Sequence, residues 1–275
     1  MADPTRPVLK RARGRSRWIV YGSLVLALWG FWVWQPWEYD FVPRKPPIPN
    51  PPVDPESDRL FAPGTRVVVV TAHPDDAEFY IGGTLTRLAA SGADLFHIVV
   101  TDGDKAYYPF EDSESNRRVR RAEQTRASHT WKAQEIVFLG YPDGRLRVTD
   151  RLVERLVAEF KRLRPDYVLA FDGEYPPRLS HQDHRRSGDA VALALQRNPS
   201  LARWLMRFST SAPNFVADIS DQWEAKRALL KIHASQFHGE RLERVTNMVE
   251  ENAIDDGERI GTTYGEGFRC IRLAP

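Results

Sequence analysis

Cysteine is almost absent from this chain of 275 residues, which contains a single one, Cys270. One thiol excludes an internal disulfide and every all-thiolate zinc or iron-sulfur site, so any metal ion must be bound by histidine and carboxylate side chains. The patterns Gly-x-Ser-x-Gly and Gly-x-Gly-x-x-Gly are also missing. The sequence therefore gives no support to a serine hydrolase of the α/β type or to a dinucleotide-binding enzyme.

A broad excess of positive charge is missing as well. The formal net charge is +2, yet residues 1–17 alone carry six basic side chains against one acidic side chain. The remaining 258 residues therefore carry a net charge of −3. Nucleic-acid-binding proteins present a basic surface, so we expect no nucleic-acid partner. With 42% hydrophobic and 28% charged residues, the composition is that of a folded protein rather than a disordered one.

One long hydrophobic run lies near the amino terminus. Residues 18–34 contain no charged side chain, and tryptophans cluster at both ends of the run. About 20 apolar residues span a bilayer, and tryptophan favours the two interfaces, so residues 18–37 predict a transmembrane helix that anchors the chain in a lipid bilayer. A buried helix and a cleaved signal peptide are the alternatives, although no small-residue cleavage site follows the run.

The flanking charges predict how the anchor is oriented. Basic residues in 1–17 and acidic residues just after the run place the amino terminus in the cytoplasm and the rest of the chain across the membrane. Residues 38–63 form a proline-rich linker, in which seven of the thirteen residues from 43 to 55 are proline. This composition fits an extended polyproline helix or an unstructured tether. Residues 64–275 then form the globular domain.

Short β-branched runs alternate with longer amphipathic stretches after residue 63. This alternation predicts an α/β domain with a Rossmann-like, mostly parallel sheet and helices on both faces. The predicted strands are 66–71, 94–101, 135–139, 167–171, 205–209, 214–219 and 268–273. The predicted helices are 78–91, 117–131, 151–163, 183–196 and 222–237.

Two clusters of histidine and carboxylate residues follow predicted strands. Residues 72–78 come directly after the first strand, and residues 181–184 come after the fourth strand and begin the next helix. Because ligands bind at the carboxyl ends of parallel strands, we expect both clusters to lie at one edge of the sheet. His73, Asp76 and His184 then supply two imidazoles and one carboxylate, a set suited to catalytic Zn²⁺. Taken alone, the first cluster also fits a helix N-cap, and the second also fits a solvated polar turn.

Three sequence strings carry a likeness to a known family. Ala-His-Pro-Asp-Asp-x-Glu at 72–78, Gly-Gly-Thr at 82–84 and His-x-Asp-His at 181–184 resemble the LmbE-like superfamily. That superfamily includes N-acetylglucosaminyl-phosphatidylinositol de-N-acetylases and related zinc deacetylases. The resemblance covers roughly residues 64–270. The superfamily commonly has proline where this chain has Gln182, which bears on the rigidity of the loop rather than on its ligands.

The resemblance implies a zinc-dependent N-deacetylase that acts on an N-acetylated amino sugar. His73, Asp76 and His184 would be the metal ligands, and Asp75 the general base that takes a proton from water. His181 would stabilise the oxyanion or act as an acid. We expect it to be an imidazolium, favoured by Asp183 as its orienting partner.

Four further residues have less direct roles. The resemblance implies that Arg120 and Asp102 bind sugar hydroxyl groups, although an ion pair between Arg120 and Glu123 on a solvated helix face explains Arg120 equally well. Lys226 and His233 lie seven positions apart on one predicted helix. They would support the site from behind the ligands, although a satisfied structural histidine explains His233 equally well.

Two other functions compete with deacetylation. A phosphoester hydrolase often uses two metal ions, which demands more ligands than the two clusters offer. A carbohydrate-binding protein of the same fold without activity is the second rival. The presence of both Asp75 and His181 argues against it, because these residues serve catalysis rather than binding.

The anchor is tested by deleting residues 1–40. We expect the full-length chain in the membrane fraction and the shortened chain in the soluble fraction, because the deletion removes the apolar run. Protease added to right-side-out vesicles should digest the domain, whereas inside-out vesicles should protect it. A soluble full-length chain would contradict the anchor, and protection in right-side-out vesicles would contradict the orientation.

Overall fold

The computed structural model describes residues 54–56, 58–105, 113–175 and 180–273. The predicted cytoplasmic segment 1–17, the predicted anchor 18–37 and the linker up to residue 53 lie outside these residues. Within the described ranges, no helix combines the length and the apolar character that a bilayer crossing requires.

Strands and helices alternate along the first two thirds of the described domain. The strands are β1 (Arg66–Thr71), β2 (Asp94–Thr101), β3 (Ala133–Tyr141), β4 (Tyr167–Phe171), β5 (Trp204–Phe208), β6 (Phe215–Asp218) and β7 (Gly265–Arg272). The α-helices are α1 (Asp76–Ala90), α2 (Ser113–Thr130), α3 (Asp150–Leu163), α4 (Gln182–Arg197), α5 (Trp223–Leu230) and α6 (Gly239–Glu258). Short 3₁₀ helices cover Pro199–Leu201 and Ser220–Gln222.

The strands form one sheet in the order β3-β2-β1-β4-β5-β7-β6. Strands β1 to β5 are parallel, and β7 is antiparallel to both β5 and β6. The predicted mostly parallel sheet is therefore confirmed, with a strand order over β1 to β5 that is typical of Rossmann-like folds. Successive strands are added on one side of β1 and then, from β4 onward, on the other. Ligands bind at the carboxyl ends of the strands beside such a switch point.

Helices pack on both faces of the sheet. Val68 of β1 belongs to a buried cluster with Leu156 of α3 and Val191 of α4. Side chains alternate between the two faces of a strand, and His97 of β2 points to the opposite face. There its Nδ1 lies 3.0 Å from the Ser128 hydroxyl of α2. Both faces are thus covered, as the sequence predicts.

Elements late in the chain differ from the prediction. The predicted helix 222–237 is wrong, because α5 ends at Leu230 and tight turns follow it up to residue 237. Lys226 and His233 therefore do not share one helix face. Helix α6, which has 20 residues, is absent from the prediction. His233 binds a buried carboxylate on α1, and this tertiary contact competes with the helical pattern of the segment.

The last part of the predicted linker packs against the domain. We call residues 54–56 and 58–64 the entry segment. Its Leu60 is fully buried, and the carbonyl oxygen of Asp58 lies 2.7 Å from the Tyr167 hydroxyl. The Trp204 indole donates a hydrogen bond of 2.9 Å to the Asp58 carboxylate. Tyr167 and Trp204 begin β4 and β5, so the entry segment lies at the amino ends of the strands, and the folded part begins before residue 64.

Gly188 lets α4 pack closely against β4. A Cβ atom at this position would collide with the carbonyl oxygen of Phe171 and would lie 3.0 Å from the amide nitrogen of Gly173. We expect Gly188→Ala to lower the free energy of unfolding by about 1 to 3 kcal/mol, although alanine is the better helix former. Urea denaturation measures the change. The exposed Gln196→Ala on the same helix is the control, with an expected change below about 0.5 kcal/mol. Equal stability of the Gly188→Ala protein and the unmutated one would show that α4 moves away from β4 at no cost.

Candidate metal centre and active site

Both predicted clusters lie at the carboxyl ends of β1 and β4, which are hydrogen-bonded neighbours. The loop after β1 carries His73, and Asp76 begins α1. Strand β4 leads to α4, and His184 lies in the first turn of that helix. The sheet switches its direction of growth between these two strands, so the clusters meet where an α/β sheet binds ligands.

The three predicted metal ligands converge. His184 Nε2 lies 3.1 Å from Asp76 Oδ1 and 3.2 Å from His73 Nδ1. The distance from His73 Nδ1 to Asp76 Oδ2 is 3.6 Å. Tetrahedral zinc with ligand bonds of 2.0–2.1 Å separates its ligand atoms by about 3.3 Å. The two imidazole nitrogens lie at this spacing, and Asp76 meets each of them through a different carboxylate oxygen. Two imidazoles and one carboxylate are a donor set that suits a zinc ion with one open coordination position.

The backbone holds the Asp76 carboxylate in place. The amide N–H of His73 donates a hydrogen bond of 2.7 Å to Asp76 Oδ2. Burial alone would raise the pKa of Asp76, but the imidazoles of His184 and His73 lower it well below its ordinary value. Asp76 is therefore ionised at neutral pH, as a metal ligand must be.

His73 presents its second ring nitrogen to two carboxylates. Its Nε2 lies 3.1 Å from Asp143 Oδ1 and 3.5 Å from Asp183 Oδ2. Burial lowers the pKa of His73, but Asp143 and Asp183 raise it well above its ordinary value. These carboxylates favour a proton on Nε2, which leaves Nδ1 for a metal ion.

Asp143 is a site residue that the sequence analysis does not predict. It follows β3 at the same edge of the sheet, and this position is the signal that identifies it. Its carboxylate also accepts a hydrogen bond of 3.0 Å from the Lys105 amide. The loops after β2 and β3 are thus joined beside His73.

His181 lies beside the ligands in a different state from the predicted one. The centre of its ring is 5.0 Å from that of His73 and 5.4 Å from that of His184. Burial lowers the pKa of His181 to about 4, and the two neighbouring imidazoles lower it as well. The predicted imidazolium is therefore wrong, because the ring is neutral at neutral pH. The Asp183 amide donates a hydrogen bond of 3.3 Å to His181 Nδ1, so the neutral ring carries its proton on Nε2 and can donate from there.

The sequence predicts that Asp183 orients His181, but the Asp183 carboxylate makes other contacts. Its carboxylate oxygens accept hydrogen bonds from the amides of Gly144, at 2.6 Å, and Leu146, at 3.1 Å. Asp183 is fully buried, and these contacts hold the loop that carries Asp143. The carboxylate thus positions this loop, while the backbone of Asp183 sets the proton position on His181.

Among the described residues, two other groups of donor atoms share His73. The ring nitrogens of His73, His181 and His184 lie within 4.8 Å of one another, and so do donor atoms of His73, Asp143 and Asp183. The second of these groups faces His73 Nε2, on the side of the ring away from Asp76 and His184. The first competes with the predicted ligand set, because it replaces Asp76 by His181.

Asp75 stands next to the ligand Asp76 in an unusual backbone conformation. Its φ of 94° lies in the left-handed region, which is rare for a residue other than glycine. Arg120 donates a hydrogen bond of 2.9 Å to Asp75 Oδ2 and one of 2.7 Å to the Pro74 carbonyl. Burial raises the pKa of Asp75, and the nearby Arg120 opposes that rise.

Arg120 lies inside the protein and not on a solvated helix face. It is only 6% exposed, and its terminal nitrogens donate to Pro74, Asp75 and, at 2.8 Å, the carbonyl of Gly103. These contacts are internal to the protein, and the contact of Arg120 with a sugar stays a prediction. Glu123 is buried and accepts hydrogen bonds from Ser235, so the predicted solvated pair is not formed. Arg120 instead positions Asp75.

Asp102 and Lys226, which the sequence also assigns to the site, form contacts with other side chains. Asp102 is 7% exposed, and its Oδ2 lies 3.1 Å from Arg117 Nε. Its contact with a sugar stays a prediction. Lys226 Nζ donates a hydrogen bond of 2.6 Å to Glu266 and one of 3.2 Å to the Tyr80 carbonyl. Lys226 therefore supports α1 rather than the ligands.

A fully buried carboxylate, Glu78, lies behind the ligands. It accepts hydrogen bonds of 2.7 Å from the Trp131 indole and 2.9 Å from the Gln124 amide. His233 Nε2 lies 2.9 Å from Glu78 Oε2. His233 thus contacts Glu78 directly, and its charge also acts to lower the pKa of Asp75.

One aromatic contact orients a ligand and carries no signal in the sequence. The Phe171 ring stacks on the His184 ring with centres 4.1 Å apart and planes 5° apart. Because Phe171 is the last residue of β4, the strand itself sets the plane of this imidazole.

Comparison with known proteins identifies relatives of the site and of the fold. Residues 68–195 match the family model described as PIG-L: GlcNAc-PI de-N-acetylase. Diacetylchitobiose deacetylase from Thermococcus kodakarensis is 29% identical over 222 residues, which cover 75% of this chain and 83% of that protein. The matched family range contains both clusters.

Two solved structures share the fold. N,N′-diacetylchitobiose deacetylase from Pyrococcus horikoshii superposes with a TM-score of 0.73 at 24% identity, covering 90% of this chain and 92% of that one. A 4-carboxy-2-hydroxymuconate hydratase from Pseudomonas putida superposes with a TM-score of 0.65 at 19% identity, covering 77% of this chain and 98% of that one. The two proteins catalyse different reactions, so the fold alone does not determine the chemistry.

Metal analysis of two histidine variants separates the competing ligand sets. We expect His184→Ala to lose bound zinc, because its Nε2 lies within 3.2 Å of both other ligands. We expect His181→Ala to keep about one zinc per chain, since tetrahedral zinc takes three protein ligands in a catalytic site. Zinc content is measured after dialysis. Loss of zinc from His181→Ala together with its retention in Asp76→Ala would assign the site to the three histidines.

Proposed function

Because the chain belongs to the PIG-L (LmbE-like) family, we propose that it hydrolyses the N-acetyl group of an amino sugar of the N-acetylglucosamine type. Its curated relatives are named deacetylases, and the predicted class of enzyme, a hydrolase of an N-acetyl amide bond, is confirmed. The substrate proposed for this chain is a glycolipid, a glycan or a conjugate that carries such a sugar.

One observation carries the proposal. The imidazoles of His73 and His184 lie 3.2 Å apart through Nδ1 and Nε2, and Asp76 approaches each ring through a different oxygen, at 3.6 and 3.1 Å. Asp75 stands beside them. A zinc ion in such a site supplies Lewis-acid activation of both the water molecule and the amide carbonyl. This donor set favours zinc over magnesium, which prefers oxygen ligands.

Asp75 is the general base in the proposed reaction. Its carboxylate takes a proton from the water molecule whose oxygen attacks the acetyl carbon. Arg120 holds Oδ2 at 2.9 Å, and we assign the proton transfer to Oδ1. When the bond between carbon and nitrogen breaks, the same proton passes to the leaving amine, so acetate and a free amino sugar result.

His181 stabilises the negative charge that develops on the acetyl oxygen. A neutral ring with its proton on Nε2 donates a hydrogen bond to that oxygen without carrying a charge of its own. The loss of one such donor typically reduces the rate by about 10² to 10³. The Asp183 amide, through its contact with Nδ1, keeps the proton on Nε2.

Hydrolysis of a phosphoester is less well supported. Two-metal phosphoester sites hold metal ions about 3.5 to 4 Å apart, each of which needs its own ligands. In the described part of the chain, both other donor groups reuse His73. One metal ion per chain is therefore the proposed stoichiometry, and it favours amide hydrolysis.

We further propose that residues 18–37 anchor the chain by a single membrane crossing, with the amino terminus in the cytoplasm and the domain outside it. The support is the uncharged run, its tryptophan-rich ends and the basic residues ahead of it. Substrates at the membrane or in the cell envelope suit this location. Fractionation of the full-length and shortened chains tests the anchor, and protease treatment of vesicles that carry the full-length chain tests the orientation.

Acetate release and metal content, measured together on the full-length chain and on Asp75→Asn, test the reaction. We expect about one zinc in both proteins and an acetate release from N-acetylglucosamine conjugates that falls by about 10² to 10⁴ in the variant. Asparagine keeps the size of the side chain and cannot take the proton.

Each other result contradicts a separate part of the proposal. A chain without metal would refute the mechanism. Metal without acetate release would refute the substrate class, and activity retained in Asp75→Asn would refute the role of the base.

A further inference from the structure

The backbone of Asp75 is strained. Its φ of 94° and ψ of −24° lie in the left-handed region, which residues other than glycine rarely occupy, although aspartate does so more often than most. Such outliers cluster at functional sites, where they aim a side chain. The contacts that hold Asp75 therefore bear on the reaction.

One of these contacts comes from a side chain with no role assigned so far. The Asp75 amide donates a hydrogen bond of 2.6 Å to Gln124 Oε1. Gln124 lies on α2 and is fully buried, 49 positions from Asp75 in the sequence. Without this oxygen, the Asp75 amide would lose the acceptor that meets it in the strained conformation.

Glu78 and Ser128 set the orientation of the Gln124 side-chain amide. Its Nε2 donates to Glu78 Oε1 at 2.9 Å and to the Ser128 hydroxyl at 3.1 Å. An ionised carboxylate only accepts hydrogen bonds, so Glu78 requires the amide nitrogen on its side and turns the oxygen toward Asp75. Trp131 and His233 hold Glu78 in turn.

We propose that Gln124 is a positioning residue that holds the strained backbone of Asp75 and so directs its carboxylate toward the metal ligands. The inference rests on the proposed function, which makes Asp75 the base. Arg120 fixes the carboxylate end of Asp75, whereas Gln124 fixes the backbone end. A displacement of about 1 Å at a reacting group costs about 10²-fold in rate, so release of the backbone slows the reaction without removing any group that reacts.

Gln124→Met is the main test, because methionine fills a similar volume and accepts no comparable hydrogen bond. We expect kcat to fall by about 10-fold to 10²-fold, with KM changed by less than about threefold and about one zinc still bound. Ser128→Ala is the matched control. It removes a contact of the same amide nitrogen on the same helix and leaves the contact with Asp75, so its kcat should stay within about threefold of the unmutated value.

Gln124→Glu provides the conservative rescue. Two buried carboxyl groups at hydrogen-bond distance share one proton. The new carboxyl group therefore donates to Glu78 and accepts from the Asp75 amide, as the glutamine does. We expect kcat within about fivefold of the unmutated value even if the melting temperature falls. A purely structural role for Gln124 predicts that kcat follows the melting temperature in both variants.

A crystal structure of Gln124→Met gives a readout that needs no substrate. We expect the φ of Asp75 to leave the left-handed region while His73 and His184 stay in place. If Gln124→Met does not fold, Gln124→Asn replaces it, because the shorter side chain withdraws the oxygen from the Asp75 amide.

The outcomes separate this inference from the proposed function. A loss of kcat in Ser128→Ala equal to that in Gln124→Met, or an unchanged φ together with an unchanged kcat, would overturn the role of Gln124. Absence of acetate release by the unmutated chain would overturn the proposed function instead, and the φ of Asp75 in the variant would still decide whether Gln124 holds the backbone.

Discussion

The three predicted ligand side chains come together, each pair of them 3.1 to 3.6 Å apart, because β1 and β4 are neighbours that end at the same edge of the sheet. That distance is set by backbone hydrogen bonds between the two strands and by the close packing of α4 against β4, which Gly188 permits. Phe171 then fixes the plane of one imidazole. The surrounding buried residues hold the loops at this spacing.

Burial acts differently on the two adjacent aspartates of the site. Both carboxyl groups are removed from water, which raises a carboxyl pKa. Two imidazoles outweigh this effect at Asp76 and lower its pKa, whereas the pKa of Asp75 remains raised despite Arg120. When the environment separates the pKa values of neighbouring titratable groups, it separates their roles. The permanently ionised group suits a ligand, and the more basic one suits proton transfer.

The strands at the centre of the sheet could be predicted closely from the sequence. The bounds of β1, β2 and β4 agree with the prediction, because buried parallel strands appear as short, nearly continuous apolar runs. The four-residue spacing of Val245, Val249 and Ala253 also indicates α6, although the prediction omitted it. Contacts within the site were harder to predict. Arg120 reaches Asp75 across 45 positions and Asp183 reaches Gly144 across 39, and such pairs form only once the sheet brings their loops together.

The entry segment lies at the amino ends of β4 and β5, and the ligand cluster lies at the carboxyl ends of β1 and β4. A bead or a sensor surface coupled to the chain just ahead of Asp54 would meet the domain on the side away from its catalytic edge. Immobilised in this way, the domain would present the ligand cluster to the surrounding solution. Long polysaccharide chains could then reach it without crossing the support.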